Sequence, residues 1–281
     1  MWYNDKNDKT AKAVFSVGII LSFLLCSLAA GLLPVLLGGL PWWAGVLLFV
    51  LCYALCHPLY VLMVYLPCRK VDKEKPIAQQ QPFARYCTAR MARVLCHYAG
   101  IRPHITGLEK LPKEGRFLFV CNHRSLYDPL MVMGYLGDYN IAFISKPSNL
   151  ALPLVGKIAY AVGFLPIDRE NDRAALKTIL TAADYMKRGV CSIGVYPEGT
   201  RSKTGEMLPF HAGSFKAAQR AGVPVAVACV QGTEKLKKRL LLGTDVYLDI
   251  LDVIPAEQVK AMKTTELSEH CRQLIEAKLE E

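Results

Sequence analysis

From Ala13 to Cys68 the chain contains no Lys, Arg, Asp or Glu. An uninterrupted apolar run of that length far exceeds the ~20 residues that cross a bilayer. Pro34 and the Gly38-Gly39-Leu40-Pro41 turn break it near its middle, which predicts two apolar helices, about 14–37 and 42–66. Beyond a polar, Pro-containing linker at 71–81 the pattern changes. Phe83, Tyr86, Met91, Val94 and Leu95 form a helical stripe among Arg85, Arg90 and Arg93, a basic amphipathic helix suited either to anionic lipid headgroups or to a solvated face over an ordinary core. Short β-rich runs then alternate with helical patterns: strands near 104–106, 117–120, 141–145, 164–167, 192–196, 223–230 and 246–254, and helices after 128 and at 152–162, 173–186 and 215–221. Amphipathic helices finish the chain from Pro255. This order predicts an α/β fold: a mixed, mainly parallel sheet flanked by helices, preceded by an N-terminal apolar two-helix membrane hairpin. The expected division is a hairpin and linker over 1–75 and a second domain over 76–281.

Composition narrows the partners. The 281 residues are 52% hydrophobic and carry a net charge of +10, which fits a membrane-associated protein with anionic partners, a lipid surface or phosphorylated substrates. Nucleic acid is the rival reading and is not expected as a partner, since zinc-finger spacing and an RNA-binding signature are missing. The ten cysteines include no Cys-x2-Cys pair, and several sit inside apolar runs, so they read as small buried hydrophobes in a reducing compartment. Lys6, Lys9 and Lys12 precede the first apolar helix, and Arg69, Lys70, Lys73 and Lys75 follow the second. Positive charge at both ends places both in the cytoplasm, at the inner membrane of the cell; the apolar length permits either a full span or a re-entrant hairpin. A cleaved signal peptide is disfavoured, because its apolar core would be single and shorter. His57, inside the second apolar helix, is expected to be structural, with a carbonyl near Pro58 accepting its proton.

The candidate chemistry centres on Cys121-Asn122-His123-Arg124-Ser125-Leu126-Tyr127-Asp128-Pro129, where a strand turns into a helix. Five residues give about 140° of net rotation in a helix, and an odd spacing sends side chains to opposite faces of a strand, so neither regular element pairs His123 with Asp128. A tight turn does, fixing the imidazole tautomer and leaving its other nitrogen as a base for a substrate hydroxyl. Asp128-Pro129 is also expected to cap the helix that follows. Downstream, Tyr196-Pro197-Glu198-Gly199-Thr200-Arg201-Ser202 ends a strand in a polar turn: Gly199 admits a ligand close to the backbone, and Thr200, Ser202 and the Arg201 fork are donors suited to phosphate. Arg169 ends the run Gly163-Phe164-Leu165-Pro166-Ile167-Asp168-Arg169, and Lys146 closes the strand before it. Cations at the ends of neighbouring strands are placed to surround one dianionic phosphate.

With these residues in view, the chain resembles the lysophosphatidate acyltransferases, the 1-acylglycerol-3-phosphate O-acyltransferases of the bacterial PlsC type. The resemblance covers about 83–230, in four blocks: 122–128, 163–169, 196–202 and the start of a fourth at Val223-Pro224-Val225. It implies that His123 is the catalytic base and Asp128 its partner, and that Arg169, Glu198, Gly199 and Arg201 serve the lysolipid phosphate site. It further implies acyl transfer from acyl-CoA or acyl carrier protein to the sn-2 hydroxyl of 1-acyl-sn-glycerol-3-phosphate, giving phosphatidic acid, with another lysolipid or glycerol-3-phosphate as the alternative acceptor and with neither metal nor cofactor beyond the thioester substrate. Three other classes compete. A serine hydrolase needs a Gly-x-Ser-x-Gly elbow that the chain lacks; a non-catalytic lipid-binding protein has no use for a His-Asp pair; and a metal site needs more ligands than His123 and Asp128.

Overall fold

The computed structural model describes residues 5–202, 206–238 and 243–281, with the backbone alone at 5–17, 237 and 238. The side chains of Lys6, Lys9 and Lys12, expected to flank the first helix, therefore lie outside the described residues. The chain divides into two compact units, Met1–Arg69 and Lys70–Glu281.

The first unit is a pair of helices, α1 (Asp5–Gly38) and α2 (Trp42–Tyr65). Gly39 makes the reversal possible with φ +65°, a conformation costly for any residue with a Cβ. The helices approach closely at two glycines: a Cβ on Gly31 would lie 2.7 Å from the Gly45 carbonyl oxygen, the kind of small-residue contact that packs apolar helices. His57 Nδ1–H donates to the Tyr53 carbonyl at 3.0 Å and its ring meets Phe23 edge-on, so the imidazole is used within the helix pair. Gly18–Gly38 and Trp42–Cys68 are each long and apolar enough to cross a membrane.

The second unit opens with α3 (Pro82–Tyr98), whose first turn is capped by the Gln81 side chain accepting from the Ala84 N–H at 2.6 Å. The expected stripe packs only in part, through Val94 and the half-buried Met91. Phe83, Tyr86 and Leu95 stay exposed, whereas Ala84, Cys87, Ala92, Val94 and Cys96 are buried. Small side chains win because they permit close helix packing, and because Arg93 reaches inward to the Gly134 carbonyl at 2.9 Å.

After α3 come β1 (Ile101–Thr106), β2 (Leu118–Cys121), α4 (Asp128–Tyr135), β3 (Ile141–Ser145), α5 (Pro147–Leu150), α6 (Val155–Ala161) and β4 (Leu165–Pro166). The chain continues through α7 (Asp172–Lys187), β5 (Ser192–Val195), α8 (Lys216–Ala221), β6 (Val225–Gln231), β7 (Thr244–Ile254), α9 (Ala256–Ala261) and α10 (Thr264–Glu280). The seven strands form one sheet in the order β1-β7-β6-β2-β5-β3-β4. Every pairing is parallel except β6 with β7, so the sheet is mixed and mainly parallel and its five-strand parallel block has all carboxyl ends on one edge. The helix expected over 152–162 is α6, which starts only at Val155 because Pro153 and the turn around it delay its first turn; the separate short helix α5 precedes the expected segment.

Alternation along the central strands supplies both faces of the core. Leu118 and Val120 of β2 join Ile193, Val195, Val225 and Val227 under α7, α8 and α10. Phe119 and Cys121 point the other way, with Phe143, Ala226, Ala228 and Val230 under α3 and α4. Gly194 is required by close approach, since a Cβ there would sit 2.6 Å from Cδ1 of Phe143. Gly194→Ala is expected to cost about 1–3 kcal/mol by overpacking, read as a lowered thermal unfolding midpoint of the detergent-solubilised protein.

Candidate active site

The site begins where β2 stops. Asn122 is buried, and its amide continues the sheet: Nδ2 donates to the Val230 carbonyl at 2.9 Å and Oδ1 accepts the Val230 N–H at 2.8 Å. With a side chain completing the ladder to β6, the backbone is free to turn away, and the next residue, His123, faces the carboxyl edge of the sheet.

Asp128 then folds back on the turn. Its Oδ2 accepts His123 Nδ1–H at 2.8 Å and the N–H groups of Arg124 and Ser125 at 2.7 and 2.8 Å, while Oδ1 accepts the Thr233 hydroxyl at 2.6 Å. Asp128 is the first residue of α4 and is only 1% exposed; the capping position falls on Tyr127, which makes no side-chain cap bond. The expected cap is therefore not formed, because both carboxylate oxygens are committed upstream and to Thr233. An oxygen already accepting two backbone N–H groups takes the ring proton as a third donor, which fixes that proton on Nδ1 and leaves Nε2 for a ligand.

The imidazole is also held face-on. Tyr196 stacks on His123 with centroids 4.3 Å apart and planes at 19°, and Phe143 stacks on the other side of Tyr196 at 5.3 Å and 5°. The Tyr196 hydroxyl is buried without a partner among the described residues, and burial, reinforced by Asp128 and Cys121, pushes its pKa well above the ordinary tyrosine value.

Glu198 Oε1 accepts the His123 N–H at 2.6 Å and Oε2 accepts the Leu208 N–H at 2.9 Å. Burial pushes its carboxyl above the ordinary range, against the pull of those two N–H groups. The Ser202 N–H adds a bond to the His123 carbonyl at 3.2 Å. The turn after β5 thus clamps the backbone of His123 on both its N–H and C=O.

An open cleft of about 920 Å³ lies over these strand ends. His123, Lys146, Arg169, Gly199, Thr200 and Arg201 all line it, whereas Asp128 and Glu198 lie behind the wall. Among the described residues no carboxylate is ion-paired with Lys146, Arg169 or Arg201. Apolar side chains share the lining, among them Leu126, Phe143, Phe164, Ile167, Leu176 and Ile179. The cleft thus offers the oriented imidazole of His123, a second histidine, several cations, the carboxylates of Asp168, Glu170 and Asp172, and apolar wall, surfaces that a molecule with a charged head and a hydrocarbon tail needs.

Three participants escaped the sequence reading. Thr233 stands 105 residues from Asp128 and carries no local signal. Tyr196 opened a recognised block, but its stacking depends on tertiary placement. His211 lines the cleft and is fixed by its N–H to the Pro197 carbonyl at 2.8 Å. Gly199, at φ +76°, is where His211 and Arg169 meet: a Cβ there would lie 3.0 Å from His211 Cδ2 and 3.3 Å from Arg169 Nη1.

A family model described as Acyltransferase matches residues 102–231. The 1-acyl-sn-glycerol-3-phosphate acyltransferase of Salmonella typhimurium is 33% identical over 168 residues, 59% of this chain and 68% of the relative. The protein of that name from Haemophilus influenzae is 29% identical over 207 residues, 71% of this chain and 86% of its own length. In fold, the chain is similar to the crystal structure of the 1-acyl-sn-glycerophosphate (LPA) acyltransferase, PlsC, from Thermotoga maritima, with TM-score 0.62, 24% identity and coverage of 79% of this chain and 88% of that one.

Glu198→Gln replaces one acceptor by a donor facing a backbone N–H. The expected cost is about 1–3 kcal/mol, measured by thermal unfolding, with faster proteolysis in the segment between residues 198 and 208.

Proposed function

This chain belongs to the 1-acyl-sn-glycerol-3-phosphate acyltransferase family, and we propose that His123 is the general base of its acyl transfer. The enzyme acylates the sn-2 hydroxyl of 1-acyl-sn-glycerol-3-phosphate to phosphatidic acid for phospholipid synthesis, with an acyl thioester of coenzyme A or acyl carrier protein as donor. The observation that carries this reading is the His123–Asp128 pair opening onto a cleft that also holds Lys146, Arg169 and Arg201.

In this reading Nε2 of His123 takes the proton of the acceptor hydroxyl as its oxygen attacks the thioester carbonyl. The tetrahedral intermediate collapses by breaking the C–S bond, and the imidazolium returns the proton to the departing thiolate. Asp128 holds the ring in the right tautomer and stabilises it while positively charged. A thioester is already activated, so no acyl-enzyme is needed; general-base help supplies about 10²–10⁴ in rate and shared binding of two substrates supplies more.

The acceptor phosphate is assigned to Lys146, Arg169, Thr200, Arg201 and the open backbone at Gly199, with His211 added from its position against Gly199. Guanidinium forks match phosphate oxygens in pairs. Glu198 receives a positioning role: its oxygens are occupied by backbone N–H groups, and a carboxylate facing a dianion would repel it. The apolar helices α1 and α2 serve as the anchor, and flanking Arg69, Lys70, Lys73 and Lys75 favour a catalytic unit on the cytoplasmic face of the inner membrane.

His123→Ala is expected to lower acyl transfer by at least about 10²-fold without changing the unfolding midpoint; near-parent turnover of purified variant would remove the base from this position. Arg169→Ala and His211→Ala are expected to raise the acceptor KM by about tenfold with a smaller effect on the donor KM, measured with one labelled acyl thioester and varied lysophosphatidate.

A further inference from the structure

The turn between α5 and α6 exposes apolar side chains on a strained backbone. Its five residues, Ala151-Leu152-Pro153-Leu154-Val155, are all exposed, with Leu152 at 53% and Val155 at 47%. Water-facing surfaces scatter such residues singly and do not run them together. Leu154 has φ +57° and ψ −61°, and the Val155 N–H donates to the Pro153 carbonyl at 2.5 Å. This is a γ-turn of the positive-φ kind, rare and strained for any residue with a side chain, and strain of this sort concentrates at functional positions.

The turn is anchored at its base and continuous with the cleft. Lys73 Nζ donates to the Leu150 carbonyl at 3.4 Å, and Gly156 is packed so tightly against that same carbonyl that no Cβ fits. Pro147 and Asn149, just before the turn, line the cleft, as do the exposed Leu126 and Leu176. Lys146 and Lys157 bracket the apolar run on either side. Lys73 follows Cys68, where the second apolar stretch ends, by five residues of sequence. Apolar side chains on a short turn with flanking cations are what an anionic lipid surface takes up: hydrocarbon enters the headgroup and acyl boundary while the cations meet the phosphates.

We propose that the Ala151–Val155 turn is a docking surface for an anionic lipid bilayer, inserting Leu152, Leu154 and Val155 beside the cleft so that a lipid acceptor enters from the membrane. The link to acceptor entry rests on the acyltransferase reading; the insertion itself does not.

Full-length protein with Trp2, Trp42 and Trp43 replaced by Phe is reconstituted in phosphatidylglycerol vesicles containing lipids brominated on the upper acyl carbons. Emission from Leu154→Trp is expected to be quenched severalfold, whereas Tyr247→Trp, an exposed control on β7, is not. Equal emission from the two positions overturns the proposal, including the case in which a second copy of the chain covers the turn. In a second arm, Leu152→Ser with Leu154→Ser is expected to raise the KM for vesicle-borne acceptor by about tenfold and to leave turnover of a short-chain, monomeric acceptor unchanged. Equal loss on both acceptors overturns it as well. If the parent protein acylates neither acceptor, the catalytic reading falls and the quenching experiment alone decides the docking surface.

Discussion

Four donors converge on one buried carboxylate. Asp128 gathers an imidazole N–H, two backbone N–H groups and the Thr233 hydroxyl, so a charge that would be costly in the interior is matched bond for bond. Because Oδ2 holds the N–H groups of Arg124 and Ser125, the turn after β2 cannot straighten. Because it also holds Nδ1, the ring cannot rotate. The remaining freedom of His123 is removed by the clamp from Glu198 and Ser202 on its backbone and by the Tyr196 ring against its face. An imidazole held this way loses little entropy on meeting a ligand.

The sheet explains why these contacts meet. β2 is central in the parallel block, flanked by β5 and β6, so the loops leaving all three open at one edge. β5 brings Glu198 and Arg201, β6 brings Thr233, and β3 and β4 bring Lys146 and Arg169. The topology obeys the general rule that ligands of open α/β sheets sit beyond the carboxyl ends of the strands. The antiparallel β7 lies outside that block and supplies no residue lining the cleft.

Much of this was legible along the chain, for identifiable reasons. Local periodicity revealed the apolar helices and the strand-helix alternation, because each depends on neighbours a few residues away. The His123–Asp128 pairing was legible because it too is local. What failed involved a choice between competing faces or partners. On α3 the apolar stripe was open to a lipid-facing or a core-facing reading, and it divides between them: Val94 is buried, while Phe83, Tyr86 and Leu95 stay exposed because Ala84, Cys87 and Cys96 allow closer packing and Arg93 finds an acceptor inside. The Asp128-Pro129 cap was a reasonable local inference, and it lost to Thr233, a residue with no sequence signal linking it to the turn. Glu198 was grouped with the phosphate residues by its block, yet its neighbours in the sequence face the cleft while its own oxygens face backbone.

The bond from Thr233 to Asp128 and the bridge from Asn122 to Val230 have a bearing on biosynthesis. A ribosome delivers the apolar helices first and residues 230–233 long afterwards, and domains form only as their chain becomes available. The membrane-seeking part of the nascent polypeptide is therefore complete well before the imidazole has its support. A product that stops short of Thr233 has the apolar helices but leaves Asp128, and through it the His123 ring, without the hydroxyl that completes its set of donors.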